Sequence, residues 1–409
     1  MKWYAIIVGL FFAASAIQAQ QPEPPIKKGF VVHEWGVFRV NENAEYANAE
    51  LRAEWDDLPE FIYGTIKGRA VPHHWGAVEI RRRPIVFFHA TEPLTARLTI
   101  NFPGGLAGVW CPATEIPAVF ADQKQPKASS ILSWNLGIKQ CPEGWRPKQP
   151  NLPSVSEKHW IARIRQVKAD EVFARYSPNP LDVEREKFVY YDGIFPQGKW
   201  MKIAVEKDRV AITSQVKHPL FDVTVVDRRG EKVRVGRIAK LEAGETIKEV
   251  KFVEVDTLRF STEASETLLT QLSSAGLFQD EARSLVDLWK KELFESPGLN
   301  LFYRLPQTEY EARLPMKLEP KPESLVRVGL VYHAHLEPDF ADQILELARQ
   351  LDSARFQTRD AALKKLMAIG PAALVELQKL RERKDLSLEV RERIDSFVKK
   401  WNAKEAFEP

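Results

Sequence analysis

Between residues 30 and 260, short apolar runs alternate with polar breaks that contain Gly, Pro or Asp, a pattern that predicts β-strands. Ala96–Phe102 alternates apolar and polar residues, which is typical of a strand with one buried face. Many short strands with frequent turns favour a sandwich-like, mostly antiparallel body. The predicted strands are Phe30–Val40, Arg83–His89, Ala96–Phe102, Leu106–Trp110, Ser130–Leu136, Trp160–Val167, Lys187–Tyr191, Met201–Glu206, Arg209–Val216, Phe221–Asp227 and Lys232–Arg237.

After residue 260 the spacing of apolar residues changes to that of helices, and a helical pair is predicted over residues 262–295. Gly276 suits the end of the first helix, and Pro297 ends the second. Strand-like runs return at Leu299–Leu305 and Leu325–His335, so residues 29–335 are expected to form one β-rich body with a helical insertion. Ala49–Leu58 is predicted as a short helix or an ordered loop.

The C-terminal segment, residues 339–402, is predicted to be entirely helical, which makes the chain α+β overall. Its paired short helices predict a small HEAT- or armadillo-like module, but only about one and a half repeats are present, and such arrays need about three to bury their own face. We therefore expect Leu347, Leu351, Phe397 and Trp401 to dock on the body or on another molecule.

The first 19 residues have the features of a signal peptide: Lys2, an apolar run over residues 4–14, and small residues after it. An uncleaved N-terminal anchor is the alternative. Residues 20–28 are Pro-rich and predicted to be disordered. We expect an exported protein, periplasmic or extracellular, with no transmembrane segment in the mature chain. Cys111 and Cys141 are the only two cysteines, and an oxidising compartment favours a disulfide between them over free thiols.

The charge balance argues against nucleic acid as a partner. The formal net charge is only +3 over 409 residues, and the run Arg81–Arg83 has no broad basic stripe beside it. We interpret it as a solvated strand edge.

Histidines supply the candidate chemistry. His33, His74 and His89 are candidate metal ligands, and His73 adjoins the second of them. His333 and His335 are two apart on a predicted strand and would share a face. His33 and Glu34 are the candidate catalytic residues, although hydrogen bonding inside the sheet is the favoured explanation of both. The histidine spacing matches no recognised ligand motif, so no cofactor is expected. Zinc or a similar divalent ion is the alternative.

Several motifs resemble a family of large exported bacterial proteins that open with His-Glu-Trp-Gly. The similar segments are Val32–Phe38, Arg83–Phe88, Glu186–Tyr191, Gly276–Trp289 and Phe302–Pro306. Val37 departs from the family pattern, where threonine is expected. The resemblance covers roughly residues 29–335 and implies architecture and export, since the family carries no established activity.

Three functions remain open from the sequence. The leading interpretation is a non-catalytic binding or scaffold protein whose HEAT-like module meets an unknown partner. The second is an exported hydrolase, metal-dependent or directed at glycans, with its site near His33, Glu34, His73 and His74. The third is a carbohydrate-binding protein, because six tryptophans fall in the β-rich region, namely Trp35, Trp75, Trp110, Trp134, Trp145 and Trp160. The sequence leaves open whether the protein is an enzyme.

Overall fold

The computed structural model of this chain describes residues 26–41, 45–50, 58–64, 78–115, 130–141, 152–175, 183–196, 200–383, 386 and 388–407. Within these ranges the protein is a β-rich α+β structure with several sheets, as predicted. The predicted signal peptide and most of the Pro-rich segment lie outside the described residues. No helix within the described ranges is long and apolar enough to cross a membrane.

The largest sheet has ten strands. In spatial order they are β15 (Val253–Val255), β13 (Val233–Leu241), β12 (Leu220–Arg228), β16 (Gly298–Leu305), β18 (Lys321–His333), β1 (Ile26–Asn41), β3 (Val78–Ala90), β9 (Val189–Pro196), β5 (Leu106–Cys111) and β2 (Tyr63–Gly64). Strand β1 pairs in parallel with β18 and antiparallel with β3. It therefore lies in the middle of the sheet, as its apolar sequence requires.

Two smaller sheets are described. One has five strands in the order β17 (Met316–Glu319), β4 (Leu94–Asn101), β6 (Ile131–Lys139), β7 (Glu171–Arg175) and β8 (Val183–Glu186). The other has three, β10 (Met201–Glu206), β11 (Arg209–Ser214) and β14 (Thr246–Ile247).

The helices are α1 (residues 45–50), α2 (Trp160–Ile164), α3 (Thr257–Ser274), α4 (Gln279–Lys290), α5 (Gln307–Arg313), α6 (Phe340–Gln350), α7 (Phe356–Ile369), α8 (Pro371–Arg381) and α9 (Leu388–Phe407). Helix α4 continues into a π-helical turn over Lys291–Glu295. The helical insertion predicted for residues 262–295 thus forms, and α3 begins five residues earlier than predicted because Asp256 caps it by accepting a hydrogen bond from Leu258 N–H.

The large sheet separates two hydrophobic cores. Trp35 and Val37 belong to the core shared with α3 and α4, whereas Val32 and Phe38 belong to the core shared with the smaller sheets. Side chains of a strand point alternately to its two faces. Strand β1 therefore supplies both cores, and His33 and Glu34 must point to opposite sides.

The strand predicted over Trp160–Val167 is wrong, because Trp160–Ile164 is helical. Trp160, Ile161 and Ile164 are buried, and this spacing fits one face of a helix better than alternation. The His159 Nδ1 accepts a hydrogen bond from Ile161 N–H at 3.2 Å, which begins the helix.

Helices α6 to α9 share a hydrophobic core of their own. Leu347, Leu351 and Phe397 are buried within it, and the side chain of Trp401 lies outside the described residues. From the body, Tyr46 packs against this core and donates a hydrogen bond to Glu376 Oε1 at 2.8 Å. The apolar stripes of these helices therefore face mainly one another, with α1 as a contact to the body.

Candidate metal centre

Strand β1 presents His33 to the helical side of the large sheet. On the neighbouring strand β3, Phe87 lies opposite His33, and His89 lies two residues further along, on the same face. The two imidazole rings are consequently close, with ring centroids 5.5 Å apart. The histidines are diagonal neighbours across an antiparallel pair, a relation fixed by the register of the strands.

Helix α4 supplies the third residue of the cluster, Glu281, in its first turn. The Glu281 Oε2 accepts a hydrogen bond from Phe278 N–H at 2.9 Å, the backward contact made by a glutamate at the third position of a helix. The positive end of the helix dipole also favours a carboxylate at this position. The start of α4 therefore fixes the Glu281 side chain against the sheet.

The cluster joins both histidines to the two oxygens of one carboxylate. His33 Nδ1 lies 2.7 Å from Glu281 Oε2, and His89 Nε2 lies 2.8 Å from Glu281 Oε1. One ligand atom from each residue lies within 4.8 Å of the other two. Among the described residues, this is the only group of three or more His, Cys, Asp or Glu side chains close enough to hold one metal ion.

Burial gives the cluster its electrostatic character. The side chain of Glu281 is 0% exposed and that of His33 is 3% exposed, whereas that of His89 keeps 18%. Burial raises the pKa of the Glu281 carboxyl, but the hydrogen bonds and charges of His33 and His89 outweigh it, so the net shift of the pKa is downward. Glu281 is thus a carboxylate inside the protein, and it needs positive charge from imidazolium or a metal ion.

Phe278 covers the cluster. Its ring meets both imidazoles edge-on, with centroid distances of 4.5 Å to His33 and 4.8 Å to His89. Next to the site, Asp170 Oδ2 accepts a hydrogen bond from Ala90 N–H at 2.6 Å, which holds the end of β3 beside His89. Of the three side chains in the cluster, that of His89 keeps the largest exposed fraction.

Glu34, the candidate catalytic carboxylate, lies on the opposite face of the sheet. Its Oε2 accepts a hydrogen bond from Arg327 Nε at 2.5 Å, and its Oε1 accepts bonds from Tyr310 at 2.7 Å and from Tyr191. The side chains of Glu34 and Arg327 are both 0% exposed. Alternation along β1 thus separates Glu34 from His33, and Glu34 forms a buried ion pair instead of an accessible catalytic group.

His333 and His335 do not share a strand face as predicted. Strand β18 ends at His333, whose Nε2 lies 3.4 Å from the hydroxyl of Tyr303. His335 follows the strand with a φ of 54° and stacks on Phe340 at 4.6 Å. Neither belongs to a group of three metal ligands in the described part of the chain. His73 and His74 lie outside the described residues.

Acid should destabilise the fold through these two histidines. Burial lowers the pKa of His333 and His335 from 6.5 to about 3, so the folded state keeps them neutral while the unfolded state binds protons below pH 6.5. Their stabilisation is complete above pH 6.5 and is lost as the pH falls toward 3. Asparagine tolerates a positive φ, so His335→Asn should keep the backbone conformation. In urea titrations the unfolding free energy of this variant should fall less than that of the parent between pH 6 and pH 4, by about 1.4 kcal/mol per pH unit. An unchanged pH dependence would contradict a histidine that the folded state keeps neutral.

Both cysteines are free in the structure, so the predicted disulfide is not formed. Cys111 is buried at the end of β5 in the large sheet, opposite Tyr190. Cys141 follows β6 of the five-stranded sheet and is partly exposed. Cys111 thus lies in one sheet, and Cys141 lies just after a strand of another.

Four of the six tryptophans considered for sugar binding face the interior. Trp35, Trp110, Trp134 and Trp160 are at most 7% exposed and lie in the two cores. Trp75 and Trp145 lie outside the described residues. The four buried rings offer no face on which a sugar could stack.

Comparisons with known proteins give no family for this chain. No protein-family model and no curated protein matches it. Solved structures that align with it include the mu-homology domain of yeast delta-COP-I complexed with a Dsl1 WxWxV peptide, at 7% identity and a TM-score of 0.27, over 76% of this chain and 97% of that chain. The yeast delta-COP-I mu-homology domain alone gives 8% identity and a TM-score of 0.25, over 77% and 98%. At these TM-scores the likeness carries no argument about fold or function.

Proposed function

We propose that this protein binds one divalent transition-metal ion, with zinc as the best fit, through His33 Nδ1, His89 Nε2 and the Glu281 carboxylate. The observation that carries the proposal is that these three donors, from three different elements, lie within 4.8 Å of one another around a buried carboxylate. Two imidazoles and one carboxylate form a donor set that zinc commonly accepts.

The geometry needs only small adjustments to accept the ion. Tetrahedral zinc with bonds of 2.0–2.1 Å holds its ligand atoms about 3.3 Å apart. The Glu281 oxygens would move away from the histidine nitrogens by about 0.5 Å, and no two donors would need to approach by more than about 1.5 Å. The ion would supply the positive charge that the buried carboxylate needs.

Three protein ligands leave one coordination position for water, which in zinc enzymes acquires a pKa of about 7. His89 is the most exposed of the three residues that would hold the ion. Metal-assisted hydrolysis in an exported protein, one of the functions considered from the sequence, stays a prediction built on this proposal.

Metal analysis of the purified protein tests the proposal. We expect about one equivalent of zinc in the parent after zinc loading and gel filtration, and less than about a tenth of an equivalent in His89→Ala and Glu281→Gln. Cobalt loading should give visible absorption bands in the parent that both variants lack. The circular dichroism of each variant reports whether it is folded.

His218→Ala is the matched control for this experiment. His218 Nδ1 lies 2.8 Å from Glu309 Oε1, a histidine–glutamate pair of the same length that lies at the surface and outside the three-ligand cluster. It should keep full zinc content. A parent protein that retains no zinc, or a Glu281→Gln variant that is folded and retains it fully, would refute the proposal.

The non-catalytic binding protein predicted from the sequence is the second candidate function. It is supported by helices α6 to α9, which share their own core yet leave Phe356 70% and Leu388 72% exposed. The pairing of these short helices around one core of their own supports a HEAT-like interaction module. Partner binding that survives truncation of the chain after Glu337 would exclude this role.

A further inference from the structure

A small cavity lies on the helical side of the large sheet, away from the metal centre. It has a volume of about 150 Å³ and is bounded by α3, by the π-helical turn, and by strands β12, β13 and β16. On α3, the lining residues are at positions 264, 267, 268 and 271. These positions repeat at helical spacing and mark one face of the helix. The cavity is therefore a gap between this helix face and the sheet.

Local sequence explains the gap. Strand β12 contains one extra residue relative to β16 between Phe221 and Thr224, and Asp222 in this bulge has a φ of 57°. The walls carry small side chains, Ala264 on the helix and Ala239 on the sheet. A bulged strand facing alanines leaves space that larger side chains would fill.

The interior of the cavity suits an aromatic ring. Phe294 and Phe302 both line it and meet edge-to-face at a centroid distance of 5.7 Å, and both are at most 3% exposed. Apolar cavities of about 150 Å³ lined by aliphatic and aromatic side chains stay dry and accept benzene. A ring entering between these walls would gain the edge and stacking contacts that aromatic pairs prefer.

The mouth of the cavity suits an anion. On β13, Val233 and Val235 are buried under the helices, and alternation places Arg237 on the same face at the open end. Arg237 is exposed and makes no ion pair or side-chain hydrogen bond in the described part of the chain. The nearby carboxylate of Asp222 is already paired, since Arg304 Nε donates to its Oδ2 at 2.9 Å.

We infer that this cavity binds a small aromatic monocarboxylate of about the size of benzoate, with the ring beside Phe294 and Phe302 and the carboxylate on Arg237. The guanidinium can donate two parallel N–H hydrogen bonds to a carboxylate. The cavity should therefore bind an aromatic carboxylate more tightly than a neutral aromatic molecule of the same size. The site is independent of the metal centre and extends the proposed function.

Titration calorimetry of the full chain with benzoate tests this inference, with benzyl alcohol as the neutral ligand of equal size. We expect one benzoate per chain at millimolar affinity or better, and benzyl alcohol bound at least about fivefold more weakly. Arg237→Gln should weaken benzoate binding about fivefold to tenfold and leave benzyl alcohol unchanged. Arg259→Gln, an exposed arginine elsewhere on α3, should change neither.

Substitutions that fill the cavity distinguish benzoate binding inside it from benzoate binding at the protein surface. Ala264→Leu should abolish benzoate binding without lowering the melting temperature, because the added carbons occupy existing space. Ala239→Leu is the second filling variant should the first fail to fold. Benzoate binding that is absent from the parent, unaffected by a folded filling variant, or no stronger than that of benzyl alcohol would overturn the inference.

Discussion

Replacing Arg327 by methionine is expected to cost about 3–5 kcal/mol of unfolding free energy, the largest effect of any single substitution considered for this protein. The reason is that the negative charge of Glu34 would lose its ion-pair partner in a site where both side chains are 0% exposed. The two tyrosine hydroxyls that donate to Glu34 can offset only part of that charge.

Urea titrations of Arg327→Met, Glu34→Gln and the double variant measure this effect. We expect the double variant to lose less than the sum of the two single variants, because removing both charges leaves neither unpaired. The control is Arg97→Met, which removes the exposed partner of Glu115 and should cost at most about 1 kcal/mol. A cost below about 1 kcal/mol for Arg327→Met would contradict a buried ion pair in this position.

Removal of the metal is expected to have the second largest effect. A ligand that binds only the folded state stabilises it by about 4 kcal/mol when its free concentration is a thousandfold above its dissociation constant. Part of this gain is offset, because the ion replaces the two hydrogen bonds from His33 and His89 to Glu281. The denaturation midpoint of the parent should therefore fall when a chelator replaces zinc in the buffer.

Glu281→Gln provides the comparison for the chelator experiment. It retains the size of the side chain but removes its negative charge, so its midpoint should be the same with zinc and with chelator. His218→Ala should behave like the parent, since its histidine–glutamate pair is at the surface. Equal midpoints for the parent in zinc and in chelator would show that the cluster does not bind the ion.

The sequence predicts those features that depend on the residue pattern of a single strand or helix. The apolar run around His33 predicted a buried strand, and Phe30–Val40 lies within β1. Helix α4 was predicted from Leu285 and Trp289, which are both buried. The strand predicted over Trp160–Val167 is wrong because alternation and helical spacing are hard to tell apart in a short apolar segment. Burial of the two neighbouring residues Trp160 and Ile161 indicates the helix.

The candidate site was only half predictable. His33 and His89 were both proposed as metal ligands, but nothing in the sequence related them to Glu281, which is 248 residues from His33. The available signal was local, since a glutamate three residues after Phe278 fits a helix start. Pairing it with a particular strand needs the tertiary packing of α4 on β1 and β3. The ion pair of Glu34 could not be predicted for the same reason, because its partner Arg327 lies on a strand 293 residues away.

Anomalous diffraction at the zinc absorption edge, from crystals of the zinc-loaded protein, tests the central claim most directly. The account predicts one strong peak about 2.0–2.2 Å from His33 Nδ1, His89 Nε2 and a Glu281 oxygen. An empty cluster under saturating zinc, with both histidines still bonded directly to Glu281 at 2.7–2.8 Å, would contradict it.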